Sequence, residues 1–207
     1  MDKKDLLKEV PVIAIIRGVK PEEAVDVAEA MYEAGIRAVE VPLNSPNPFV
    51  SIKLIADALG DKMLVGAGTV LTVEQVQKVY EAGGQIIVSP NMDEEVIEAT
   101  KGFGMYSYPG VMTVTECFAA LEAGADGLKL FPADVVGMKF IKAAKVVLPE
   151  GTQVFAVGGV NDQNMSEWTA AGADGFGLGS SLYKPGMPIA EIRQLSEKVV
   201  ESLGALV

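Results

Sequence analysis

Two titratable residues stand inside apolar runs. Lys129 lies in GLKLFP, flanked by Leu128 and Leu130, and Glu40 lies in AVEVPLN between Val39 and Val41. In a strand, successive side chains face opposite sides, so if the aliphatic neighbours face helices, each charged group faces the other way. An ammonium stripped of water gives up its proton more readily. The neutral amine then attacks carbonyl carbons and can form a Schiff base. A carboxylate within reach can move protons between substrate and water. A plainer description also fits: Lys129 in an interior salt bridge or at a surface strand end, with Glu40 merely neutralising Lys129 or Arg17.

Composition narrows the chemistry. Histidine is absent and Cys117 is the single cysteine. This excludes Ser-His-Asp catalysis, His proton shuttles, His-ligated or Cys-cluster metal sites and an intrachain disulfide. No metal and no cofactor is expected, and acid–base work falls to Lys, Glu, Asp, Tyr or water. The 17 basic and 28 acidic residues give a net charge of −11. Such a surface repels nucleic acid and anionic membranes, and no basic cluster offsets it. The amino terminus carries no signal-peptide core. The apolar run VPVIAII at 10–16 stops at Arg17, far short of the ~20 residues that span a bilayer. The expectation is a cytoplasmic protein with no nucleic-acid or membrane partner.

A single pattern recurs along the chain, and it supplies the elements that must hold these residues. It appears as EAGIRAVEVPLN (33–44), EAGGQIIVSPN (81–91), EAGADGLKLFPAD (122–134) and AAGADGFGLGSS (170–181). In each, a Gly stands where a helix ends and a short run, apolar on both parities, follows. Eight strands are predicted near 11–17, 37–42, 62–69, 85–89, 103–108, 126–131, 152–158 and 174–178. Helices follow near 21–34, 48–59, 73–82, 93–101, 114–123, 138–147, 162–171 and 188–203. Thr72 with Gln75, and Thr113 with Glu116, fit capping boxes, and Pro21 suits a first helical turn. Eight such units predict an α/β fold, a small single-domain (β/α)8 TIM barrel over residues 1–207. An open doubly wound sheet is the alternative, but no GxGxxG opens the first unit.

Ligands of such barrels bind where strands end. Arg17 ends strand 1, Glu40 lies near the end of strand 2, Thr69 ends strand 3, Ser89 ends strand 4 and Lys129 lies near the end of strand 6. Pro90, after Ser89, is counted with the binding positions. Strands 2 and 6 stand opposite each other in an eight-stranded ring, so Glu40 and Lys129 project into one mouth. Phe131 follows the lysine strand and either walls the pocket or packs the rim. Strands 7 and 8 end in Gly158-Gly159 and Gly179-Ser180; Gly159 and Val160, with Gly179 and Ser180, offer backbone N–H groups to a phosphate, or the glycines serve turn geometry only. The proline-rich PLNSPNP (42–48) makes a stiff loop that shapes the pocket or caps the next helix.

Taken together, VEVPLNSP (39–46), VGAGTVL (65–71), SYPGVMTVTE (107–116), LKLFPAD (128–134) and FAVGGV (155–160) resemble the class I 2-keto-3-deoxy-6-phosphogluconate aldolases. The pattern is most similar to the branch acting on 2-dehydro-3-deoxy-6-phosphogalactonate. The resemblance implies reversible cleavage of a phosphorylated keto acid to pyruvate and D-glyceraldehyde 3-phosphate by a metal-free barrel that forms a homotrimer. It places the Schiff-base lysine on Lys129 and the acid–base glutamate on Glu40. Thr69 holds the pyruvate end, Arg17 takes the substrate carboxylate, and amides at Gly158, Gly159, Gly179 and Ser180 take the phosphate. The gluconate branch carries Thr-Leu-Arg-Thr after its glutamate. Here Pro42-Leu43-Asn44-Ser45 stands instead, and an Asn cannot replace a bidentate guanidinium. That difference favours the galactonate epimer. The C4 epimer as main substrate, 4-hydroxy-2-oxoglutarate as a side substrate, and a non-covalent phosphosugar isomerase or synthase are the competing readings.

Overall fold

The computed structural model describes residues 4–204. In chain order the elements are α1 (Lys4–Glu9), β1 (Val12–Ile15), α2 (Pro21–Glu33), β2 (Ala38–Pro42), α3 (Pro48–Leu59), β3 (Leu64–Gly68), α4 (Val73–Glu81), β4 (Ile86–Val88), α5 (Glu94–Gly102), β5 (Tyr106–Tyr108), β6 (Gly110–Val111), α6 (Val114–Glu122), β7 (Leu128–Leu130), α7 (Ala133–Val136), α8 (Met138–Val147), β8 (Val154–Val157), α9 (Met165–Ala171), β9 (Gly175–Leu178) and α10 (Ile189–Gly204). All strand pairs are parallel, in the order β5-β4-β3-β2-β1-β9-β8-β7-β6.

The ends of that order are one stretch of chain. Residues 106–111 pair with β4 through Tyr106–Tyr108 and with β7 through Gly110–Val111. Pro109 between them has no N–H, yet its carbonyl accepts from Lys129 N at 2.9 Å. The nine segments are therefore eight staves of a nearly closed barrel. The fifth stave runs 106–111, not 103–108: Phe103 caps α5 and Gly104 turns back with φ 73°.

Burial follows strict alternation. Val39, Val41, Leu128, Leu130, Phe176 and Leu178 join one large core between sheet and helices. Ile13, Ala38, Leu64, Ile86, Tyr108 and Phe155 form a separate core inside the ring. Both faces of the strands are thus dry, which is why the runs read as apolar on both parities. α1 was not foreseen. Its Leu7 joins the inner core beside residues that open their strands, closing the barrel at its N-terminal end. The repeat glycines Gly35, Gly83, Gly124 and Gly172 all have positive φ, the helix-ending conformation their positions required. Thr113 and Glu116 form the full capping box, whereas Gln75 turns its side chain to Leu71 N and leaves Thr72 to cap alone.

Candidate active site

Parity carries Glu40 and Lys129 into the ring. Glu40 pairs with Ile15 and Gly66, and Lys129 with Gly110 and Phe155, on staves that face each other. Glu40 is 2 % and Lys129 6 % exposed. Room for the carboxylate comes from Gly68, where a Cβ would overlap the Glu40 carboxyl. Among the described residues Glu40 Oε2 has no hydrogen-bond partner, which leaves a buried acceptor open. Lys129 Nζ sits 4.5 Å from the centre of the Phe131 ring. The two charges sense each other without the contact of 4.0 Å or less that defines a salt bridge, so the closed interior ion pair is not what the structure contains.

Burial dominates both groups. It pushes the Glu40 carboxyl up to about 7, against the opposing pull of Lys129, Arg17 and the Gly68 amide. It pulls the Lys129 ammonium below its ordinary range; the Glu40 charge resists and the Arg17 charge reinforces. A dry amine and a carboxyl that titrates near neutrality fit a nucleophile and a proton carrier.

Beside this pair lies a cavity of about 580 Å³ over the ends of β1, β8 and β9. Arg17, Phe131, Gly158, Gly159, Gly179 and Ser180 line it. Gly158 and Gly159 have φ of 108° and 69°, a sharp turn that only glycine makes without strain. Among the described residues no hydrogen bond uses the N–H of Gly159, Val160, Gly179 or Ser180 as donor, so four dipoles remain for an anion. Lys129 and Glu40 are not among its lining residues, but Phe131, over whose ring Lys129 Nζ sits, and Arg17, whose charge acts on both groups, are.

Thr69 and Pro90 do not line the cavity. Thr69 has φ 58°, the left-handed region that a β-branched residue avoids, directly after the Gly68 that accommodates Glu40; such strain gathers at working sites. The Pro90 carbonyl packs against Gly110, the strand partner of Lys129. Sequence reasoning missed Gly68, whose place beside Glu40 is set by the register of β2 on β3. It also missed Asn164, which accepts from Asn161 N at 3.0 Å and donates to Gly159 O at 2.9 Å.

Comparison with known proteins gives a consistent answer. The family model described as KDPG and KHG aldolase matches residues 3–195. A 2-dehydro-3-deoxy-6-phosphogalactonate aldolase of Escherichia coli (strain K12) is 50% identical over 192 residues, covering 93% of this chain and 94% of that protein. A solved structure described as native KDPGal superposes with a TM-score of 0.93 at 48% identity, covering 95% of this chain and 96% of the other. A KDPG aldolase from Legionella pneumophila, with pyruvate captured as a covalent carbinolamine intermediate, superposes with a TM-score of 0.83 at 28% identity, covering 100% and 98%.

Proposed function

Because the chain belongs to the KDPG and KHG aldolase family, we propose that it cleaves 2-dehydro-3-deoxy-6-phospho-D-galactonate reversibly to pyruvate and D-glyceraldehyde 3-phosphate, with Lys129 as the nucleophile. One observation carries the assignment of roles: a buried amine and a buried carboxyl enter the ring from opposite staves, each shifted toward neutrality by lost hydration.

Neutral Lys129 adds to the C2 ketone, and the carbinolamine hydroxyl takes a proton from the Glu40 carboxyl and leaves as water, giving a protonated imine and the Glu40 carboxylate. The C3–C4 bond then breaks, and its electron pair moves into the imine to form an enamine. The C4 hydroxyl proton passes to the Glu40 carboxylate, directly or through a water, and the aldehyde leaves. Glu40 returns that proton to C3 of the enamine. Water adds to the resulting protonated imine, the released proton returns to the Glu40 carboxylate, and pyruvate and neutral Lys129 are set free. Arg17 holds the carboxylate and Thr69 the pyruvate end, so that C2 meets the amine in line. The four free amides at Gly159, Val160, Gly179 and Ser180 hold the phosphate, supplying orientation from a remote group. They do so despite the overall charge of −11, because local dipoles and Arg17 act at contact range.

Borohydride reduction with pyruvate, read by mass spectrometry, should place the adduct on Lys129. An adduct elsewhere, or none, overturns the role of Lys129. The relative kcat/KM for the two C4 epimers tests the galactonate preference. A homotrimeric assembly and a cytoplasmic location are proposed on the family likeness. No helix among the described residues is long and apolar enough to cross a membrane, and sedimentation velocity checks the assembly.

A further inference from the structure

Arg17 is exposed at the rim, where a long guanidinium side chain is expected to wander. The loop after β2 restrains it. Arg17 Nη1 donates to Asn44 Oδ1, and one residue on, Gly18 N donates to Ser45 Oγ at 3.0 Å. Ser45 is 8 % exposed and its own N–H is held by Pro42 O at 2.9 Å, while Leu43 N is held by Gly68 O at 2.8 Å. Pro42 and Pro46 bracket the segment. On the other side, Gly18 leaves room for Pro185, whose Cγ would lie 2.8 Å from any Cβ there. The corner that carries Arg17 is thus gripped from both flanks, and its side chain is tied by a neutral amide.

We propose that Asn44 is a positioning residue: it aims Arg17 at the carboxylate of the keto acid without adding a countercharge to the guanidinium. This rests on the function proposed above. An acidic partner would hold Arg17 equally well but would cancel the charge that the substrate carboxylate requires. A neutral acceptor holds the direction and spares the charge. The amide occupies one of the five N–H donors of the guanidinium, and the others remain for a bidentate contact.

The test compares two ketones that differ in the carboxylate. Rates of borohydride trapping on Lys129 are measured for pyruvate and for acetone in the wild type, Asn44→Ala and Asn44→Asp. Asn44→Ala should slow pyruvate trapping about fivefold, the scale of one lost hydrogen bond to a charged group at an exposed site, and leave acetone trapping within twofold. KM for the phosphorylated substrate should rise by a similar factor with kcat little changed. Asn44→Asp should be no better than Asn44→Ala with pyruvate. Equal slowing of both ketones, no slowing of either, or full recovery in Asn44→Asp overturns the proposal. Failure of the wild type to trap pyruvate is a separate result, seen before any variant is made, and it removes the parent function and this role together.

Discussion

Lys129 and Glu40 are buried to within a few per cent, whereas Gly159 and Ser180, at the same end of the same barrel, are exposed. In the proposed mechanism the first pair acts through side chains whose proton affinities depend on being dry. The second acts through main-chain dipoles, which keep their direction in water and carry no net charge to desolvate. The opposite staves β2 and β7 hold the proposed reacting groups, and the adjacent staves β8 and β9 end at the proposed anion cradle. Chemistry at one end of the substrate and grip at the other are therefore separable by mutation. On one side a substitution changes reactivity; on the other it changes affinity for the phosphorylated partner.

The sharpest separation is at Lys129. Lys129→Met should reduce turnover by about 10⁴-fold or more, since no other nucleophile replaces the amine. Replacing a desolvated, shifted amine by an apolar chain of similar size should leave thermal stability equal or higher. A calorimetric scan beside an assay of pyruvate release checks both. Turnover within a hundredfold of wild type would return Lys129 to a purely electrostatic role.

Glu40→Gln should lower kcat by about 10²–10³-fold, the usual weight of a general acid–base group, yet still permit trapping. The Glu40 charge raises the Lys129 proton affinity. Its removal should therefore extend trapping to lower pH. Stability carries the same signature. Folded Glu40 holds its proton up to about 7, while an unfolded glutamate releases it near 4.3. Between those values the native state binds more protons, so stability falls as pH rises. Glu40→Gln should flatten that slope, and an unchanged slope would contradict the burial argument.

The reacting half was legible in the sequence for a physical reason. In a ring dry on both faces, a charged residue between aliphatic neighbours has one direction left, and it is inward. The proposed cradle was suggested by paired glycines at strand ends, and the positive φ of Gly158 and Gly159 is the turn those glycines announced. The repeat, with its glycines at helix ends, fixed nearly every strand and helix. What escaped has no local signature. α1 is six residues long and earns its place only by plugging the ring with Leu7. The fifth stave changes partner at Pro109, a matter of closure and not of propensity. The Gly68 space for Glu40 depends on strand register, and the Arg17–Asn44 bond joins positions 27 apart. Such contacts appear only once the chain is folded.

On the cradle side, Gly159→Ala should act mainly on affinity. The residue sits at φ 69°, and a Cβ would lie 2.8 Å from the Cβ of Asp134. Backbone strain of about 1 kcal/mol or more would be relieved by opening the turn, moving the Gly159 and Val160 amides. KM for D-glyceraldehyde 3-phosphate in the synthetic direction should rise about tenfold, more than KM for pyruvate. Equal rises would mean that the two ends of the mouth are coupled.

The smallest effect expected, and the finest test of separability, is at Asn164. Its amide bridges Asn161 N and Gly159 O, and Ser181 Oγ reaches Val160 O at 3.3 Å from the neighbouring turn. These bonds touch no reacting atom. On the proposed phosphate role, they set the angle at which the free amides of the cradle would face an anion. Asn164→Ala removes both of its bonds, but the half-buried site admits water in their place, so the cost is about a threefold rise in KM for the phosphorylated aldehyde. The signature is selectivity. KM for an unphosphorylated aldehyde acceptor should not change, because that acceptor never engages the cradle. A matching rise for the unphosphorylated acceptor would show that Asn164 supports the whole mouth, and the division between dry chemistry and wet grip would not hold.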